Sequence, residues 1–299
     1  MHDQASGLRS MARRFRTESP PPSPSAGRVS RVICVTSGKG GVGKTNVSAN
    51  LGIALGTLGA SVVLFDADLG LANLDMILGM APRFTLEHVV RGEVAELSEI
   101  VTEGPEGIKI VAGGSGISEL ANLTPHQVDR LLRSLLALQD FGDTIVIDTG
   151  AGIHQSVLHF AVSAHETILV TTPEPTAMAD AYAVIKVLAQ QVEHPRVFLV
   201  VNMVRTEGEG RAVMERLTEV ARQFLGVRVR SLGTIPQDDR VIQAVRRRTP
   251  FILEYPGSAA ARSVRHIAEQ LTSRSQPVQP GSGLTSAVAR IRRLFAARA

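Results

Sequence analysis

The segment Ser37–Asn46, SGKGGVGKTN, contains the residues best suited to chemistry in this chain. Gly38, Gly43, Lys44 and Thr45 fit the spacing G-x-x-x-x-G-K-[ST], and the segment follows an apolar β-branched run and opens a helical pattern. Glycines at this spacing let successive backbone N–H groups turn inward onto phosphate oxygens, and the helix N-terminus behind Gly43 adds partial positive charge. Lys44 can then reach β- and γ-phosphates, and the Thr45 hydroxyl can ligate Mg²⁺. Lys39 has no place in that scheme: so early in the loop, it is badly set to curl back onto its own nucleotide. Carboxylates follow two further apolar runs, Asp66 and Asp68 in VVLFDADLGLANLD and Asp148 in TIVIDTGAG, with Gly150 and Gly152 behind the latter. In an α/β sheet the C-terminal ends of strands are where ligands bind.

These side chains need a scaffold, and the pattern around them supplies one. Candidate strands at Val32–Thr36, Ser61–Asp66, Ile108–Ala112, Thr144–Asp148, Thr167–Thr172, Arg196–Asn202 and Arg228–Ile235 alternate with helical patterns at Lys44–Leu58, Thr124–Leu138, Thr176–Gln191, Gly210–Leu225 and Asp238–Arg247. Several strands are continuously apolar, as strands buried on both faces are. The alternation predicts an α/β fold, a mostly parallel twisted sheet flanked by helices on both faces. Two proline- and serine-rich stretches, residues 18–27 and 273–283, frame a core at 28–272. They set off an arginine-bearing arm at 1–17 and a short helical pattern at 284–299, both expected to act as mobile attachments outside the core.

Composition narrows the function classes. A formal charge of +4 over 299 residues gives a mild lean towards anionic partners. The single cysteine, Cys34, excludes an intrachain disulfide or a one-chain thiolate cluster and fits a reducing compartment. No run approaches transmembrane length and no signal-peptide pattern opens the chain, so a cytoplasmic protein is expected.

The string KGGVGKT resembles the deviant Walker A motif of the MinD/ParA class of P-loop ATPases. That resemblance implies ATP and Mg²⁺ as ligands, cradled by Gly38, Lys39, Gly40, Gly41, Val42, Gly43, Lys44, Thr45 and Asn46, and an ATP-dependent homodimer in which Lys39 crosses to the partner's phosphates. It implies that Asp66 lies near Mg²⁺ with Thr45, that Asp68 orients the attacking water, and that Asp148 supports Mg²⁺ through water from a Walker B strand. The class usually carries a proline where this chain has Gly150. By the same resemblance Asn202, Pro236 and Asp238 hold adenine; Asn202 is followed by Met203 and Val204, not by the N-K-x-D pattern of guanine readers, which favours ATP over GTP.

Other segments separate the members of the class. Iron–sulfur scaffolds need cysteines this chain lacks, and tyrosine kinases of this fold need a C-terminal tyrosine cluster, whereas Tyr182 and Tyr255 are the only tyrosines. Asp3–Arg9, DQASGLR, and Thr171–Lys186, TTPEPTAMADAYAVIK, are similar to the FlhG family of MinD-like regulators of flagellar number and placement. In that family the N-terminal element stimulates the GTPase FlhF, and a flagellar switch-complex protein or a transcription activator is a further partner. At 100° per residue Leu284, Val288, Ile291, Leu294 and Phe295 share one helix face flanked by Arg290 and Arg292, with Arg293 opposite. This is the pattern of an interfacial helix on anionic lipid, implying reversible association with the inner face of the cell membrane; a helix docked on its own core is the rival. A cell-division or DNA-partition ATPase, using Arg246–Arg248, is the alternative, although sequence-specific DNA binding is not expected.

Overall fold

The computed structural model describes residues 30–68, 73–114, 123–274 and 284–296. The arm at 1–17 with Asp3–Arg9, and both proline-rich stretches apart from Ser273 and Arg274, therefore lie outside the described residues. The strands are β1 (Arg31–Ser37), β2 (Val62–Asp66), β3 (Val101–Glu103), β4 (Lys109–Val111), β5 (Thr144–Ala151), β6 (Glu166–Thr171), β7 (Val197–Val204) and β8 (Val229–Pro236). They form one sheet in the order β3-β4-β2-β5-β1-β6-β7-β8. All neighbours pair in parallel except the edge pair β3–β4. Alternating side chains divide the core between the two faces. From β1, Val32 and Cys34 enter one cluster and Ile33 and Val35 the other. Burial pushes the Cys34 thiol well above its ordinary range, so it acts as a small core residue.

Helices cover both faces. Helices α1 (Lys44–Thr57), α2 (Leu74–Ile77), α9 (Phe251–Glu254) and α10 (Ala259–Ser273) contribute to the second cluster, with Ala244 of α8 (Asp239–Arg246). The first cluster takes α3 (Leu86–Arg91), α4 (Pro125–Ala137), α5 (Gln155–Ser163), α6 (Pro175–Gln191) and α7 (Glu207–Leu225). At the N-terminal end of the parallel strands, buried Glu166 binds both Arg31 and Arg196 and so ties β1, β6 and β7 together. Arg31 also donates to the carbonyl of Leu271, pinning the end of α10 beneath the sheet.

The C-terminal helix α11 (Leu284–Ala296) is docked on the core here, the rival of the two placements its pattern allowed. It packs on α4 and α5 and reaches β1. Leu284, Ala287, Val288 and Ile291 are 2–4% exposed and join the cluster that holds Val32, Cys34, Ile145 and Ile147. The physical reason is that an apolar stripe seeks any dry surface, and the slot between α4 and α5 offers one within the chain's own reach. Arg292 and Arg293 point to solvent, while Arg290 is half-buried, its Nε without a hydrogen-bond partner among the described residues. That burial, with Arg293 nearby, holds the Arg290 guanidinium below its usual range. The side chains of Leu294 and Phe295 lie outside the described residues. Among those residues no helix is long and apolar enough to cross a membrane.

Candidate functional site

Strand β1 runs through the middle of the sheet between β5 and β6, and the loop after it opens at their C-terminal ends. Two glycines there are dictated by crowding. A Cβ on Gly38 would stand 2.3 Å from the backbone of Asp180 in α6. Gly43 adopts φ 85°, and a Cβ there would stand 2.4 Å from the Asn202 amide. The loop is thus clasped between α6 and the end of β7. The Asn202 side chain donates from Nδ2 to the carbonyl of Val42 at 2.8 Å, bracing the loop from the base side.

Below the loop lies a buried polar cluster. Lys44, 7% exposed, places its Nζ 2.9 Å from Asp148 Oδ1. The same oxygen accepts the Ser48 hydroxyl at 2.7 Å. Lys44 also approaches Thr45 Oγ1 at 3.4 Å. Asp66 is opposite Asp148 on the adjacent strand, with Oδ1 accepting the Asp68 N–H and Oδ2 the Leu74 N–H. Burial, and then the neighbouring Asp148, push the Asp66 carboxyl up to about 8. Two buried carboxylates on adjacent strands, one of them bonded to Lys44, fit a divalent cation, whose charge would offset their mutual repulsion. Asp68 borders the C-terminal end of β5, because a Cβ on Gly150 would lie 3.6 Å from its carboxylate. Asp66, Asp68, Asp148, Lys44 and Thr45 thus converge from three segments far apart in the chain.

From the loop, a cleft of about 590 Å³ extends past Lys39, Gly40, Gly41 and Val42 to Asn202, Met203, Pro236 and Ile242. Its size suits a nucleotide. Met203, at φ 57°, is 42% exposed and Ile242 49%, so two large apolar side chains face a wet cleft. They offer a flat base the apolar contact it lacks in water. Asp238 also lines the cleft, but its carboxylate serves the scaffold, accepting the Arg240 N–H at the start of α8 and the Ala260 N–H of α10. It positions the rim formed by Pro236 and Gln237. Asn46 lies in the first turn of α1, where its carbonyl accepts the Asn50 side chain; Asn50 in turn receives the Ile252 N–H.

Lys39 stands at the lip, 40% exposed, with Nζ 2.7 Å from Glu174 Oε2 and 3.1 Å from Thr176 Oγ1. Glu174, Thr176, Ser48, Met203 and Ile242 were not legible as site residues. Ser48 had a signal, four residues after Lys44 on the same helix face. Met203 and Ile242 had none, since only the fold leaves an apolar side chain facing a cleft.

The ParA family model, described as NUBPL iron-transfer P-loop NTPase, matches residues 28–272. The chain is 41% identical over 261 residues to the antiactivator FleN of Pseudomonas aeruginosa, covering 87% of this chain and 93% of that one. It is 38% identical to the flagellum site-determining protein YlxH of Helicobacter pylori, over 82% of each chain. Among solved structures, the septum site-determining protein MinD of Pyrococcus horikoshii complexed with Mg-ADP superposes with TM-score 0.67 at 28% identity, covering 81% of this chain and 96% of that one. The family match spans residues 28–272 and the relatives cover most of the chain, so the chain belongs to the MinD/ParA family of P-loop NTPases.

Proposed function

We propose that this protein is an ATP-dependent, dimerising switch that regulates the number and placement of flagella, with slow Mg²⁺-dependent ATP hydrolysis as its timer. Similarity to the antiactivator FleN supports a regulatory role, and similarity to the flagellum site-determining protein YlxH supports a flagellar one. An iron-transfer role does not fit this chain, whose one cysteine, Cys34, is buried within β1. The observation that carries the switch reading is the division between the two lysines. Lys44 is committed to the chain's own buried carboxylate, while Lys39 sits on the lip where a second subunit could meet it.

In this reading Lys44 exchanges Asp148 for the β- and γ-phosphates when ATP enters. Asp148, relieved of its lysine, then joins Asp66 and Thr45 in holding Mg²⁺. The cation supplies charge neutralisation on the phosphates. Asp68 orients the attacking water and receives its proton, in a pocket closed by the partner's Lys39 side chain. Asn202, Met203, Pro236 and Ile242 hold the adenine.

Dimerisation also releases α11 to anionic lipid at the inner membrane face. Its docked state buries a guanidinium nitrogen without a partner, a cost that a lipid phosphate removes. Two copies on one dimer raise the apparent affinity of a helix too short to hold a monomer firmly. Hydrolysis returns the subunits to the cytoplasm. The arm at Asp3–Arg9 stimulates FlhF, and a switch-complex protein or transcription activator binds near the switch loops. Light scattering with a non-hydrolysable ATP analogue tests the core of this reading. Wild type dimerises, and Lys39→Ala binds the analogue within a few-fold but stays monomeric. A Lys39→Ala protein that dimerises normally would overturn it.

A further inference from the structure

The described residues start at Ser30, whose hydroxyl donates to the carbonyl of Gly142 at 3.0 Å, while the Arg31 N–H donates to that of Asp143. Beside this anchor lies a groove of about 560 Å³ between α4 and the segment after α3, with Asp140 and Phe141 at its near end. Its apolar wall is made by Val89, Val94 and Leu97, all buried, and by half-buried Phe141. Arg130 fixes the shape of the groove. Its Nη1 donates to the Val90 carbonyl at 3.3 Å, and its guanidinium presses on Gly92, which turns at φ 79°. The nucleotide site uses none of these residues.

Charge decides what could lie there. Arg133 is paired with Asp129 of its own helix. Glu96 and Asp140 have no ion pair among the described residues, and Glu93 and Glu99 stand exposed on either side of Glu96. The groove is therefore apolar within and mainly acidic at its rim, and it suits an apolar face edged by cations. The chain carries such a face. At helical spacing Leu8, Met11 and Phe15 fall together, with Arg9, Arg13 and Arg16 along one side. Four arginines against one aspartate make residues 1–17 basic. A cavity of about 420 Å³ beside β7 and β8, lined by Arg196, Arg228 and Arg230, has the wrong sign for them.

We propose that the groove between α4 and the segment after α3 holds the chain's own arm, residues 1–17, and so withdraws the arm from any other protein that would bind it. Residues 18–29 are the tether, and twelve residues extend to at most about 40 Å. The tether leaves Ser30 at the near end of the groove, so the arm meets the groove at an effective concentration of about millimolar order. Weak apolar contact is enough to populate the docked state at that concentration. The exposed charges at the rim are screened by salt, and they select the segment more than they tighten its binding.

Disulfide trapping in the full, nucleotide-free chain tests the docking, since Cys34 is buried and is the only native cysteine. With Phe15→Cys and Ser98→Cys and an added mild oxidant, an intrachain disulfide closes several-fold faster than in a control with Phe15→Cys and Arg228→Cys. Adding Glu96→Lys and Asp140→Lys slows closure to the control rate, and adding Arg13→Glu and Arg16→Glu to that protein restores it. In the cysteine-free background of the same positions, Glu96→Lys with Asp140→Lys makes trypsin cut after Arg9 several-fold faster, while cutting after Arg274 is unchanged. Closure no faster than the control overturns the docking. A disulfide that forms between chains, at a rate rising with protein concentration, overturns it in favour of a second copy as occupant. Fast closure that ignores Glu96→Lys and Asp140→Lys overturns the charge recognition that singles out this arm.

Discussion

The nucleotide cleft and the C-terminal helix both look, at the level of residue pattern, like self-contained modules, yet they are held in place by different physics. In the cleft, Lys44, Ser48, Asp66 and Asp148 are buried polar groups with directional partners at 2.7–3.3 Å. Each angle and distance matters, because an unpaired charge at that depth costs several kcal/mol. Helix α11 is held by Leu284, Ala287, Val288 and Ile291, which ask of their surroundings only that they be dry and of fitting shape. A polar site has one correct environment. An apolar stripe has several, and here it takes the groove between α4 and α5.

The sharpest way to break the cleft side of that comparison is to remove a group whose position alone matters. Asp68→Ala should lower the ATP hydrolysis rate by on the order of 10²–10⁴-fold while nucleotide binding persists. A coupled phosphate-release assay at saturating ATP measures it, and a wild-type rate would move the water-orienting role elsewhere.

On the helix side the largest effect is on stability. Ile291→Ala leaves a cavity in the core, and such truncations cost about 2–5 kcal/mol. Denaturant unfolding of nucleotide-free protein reads this loss. It has a ceiling, because the loss cannot exceed the free energy of docking the helix. Removal of the chain after Gly283 therefore measures that ceiling. Equal values for the two variants mean that one side chain decides docking, and a negligible loss in both would mean that the helix contributes nothing to the core.

Phe295→Glu tests whether a bilayer can take this face in place of the groove. Burying a side chain of this size contributes roughly 1.5–3 kcal/mol, and an interfacial helix realises part of it. Half of that from two copies exceeds a tenfold change in binding. Co-sedimentation with anionic vesicles in the presence of ATP should fall more than tenfold, with dimerisation intact. Arg293→Ala, on the exposed face, should weaken binding modestly and only on anionic lipid.

A dependence on pH returns the comparison to the cleft. With the Asp66 carboxyl pushed from about 3.8 to about 8, the folded, metal-free protein binds more protons than the unfolded chain between those values. Stability from this group is fully present below the lower value and is lost as pH rises towards the higher. Thermal unfolding of nucleotide-free protein should shift down from about pH 5 to about pH 8 and level off beyond. Asp66→Asn should flatten that slope, and so should saturating Mg²⁺ with nucleotide. A wild-type curve that rises over the interval would mean that Asp66 stays ionised.

How much of this was legible beforehand depended on whether the signal was local. The seven expected strands were all found within a few residues, because continuous apolar runs of that length have few other places to go. The short edge strand β3, three residues with one glutamate, has no such signal, and its pairing with β4 is decided by proximity. Helices α2, α3, α5, α9 and α10 were not foreseen. Helix α5, QSVLHFAVS, is too short and too apolar to show a period, and its place is set by the loop before it and the slot it fills.

The sequence by itself determined the glycine-rich loop between β1 and α1, the carboxylates at the ends of β2 and β5, and the mostly parallel sheet that carries them. Glycine spacing, a lysine at a helix start and apolar strands constrain backbone and chemistry within a few residues of themselves. Tertiary structure alone decided that Lys39 rests on Glu174 and Thr176, that Met203 and Ile242 face the cleft, and that α11 lies in the core. Each of these is a meeting between segments distant in the chain: 135 residues separate Lys39 from Glu174. The residues that meet carry no mark of each other. An amphipathic helix records which of its faces is apolar, and only the packing of the whole chain settles what that face touches.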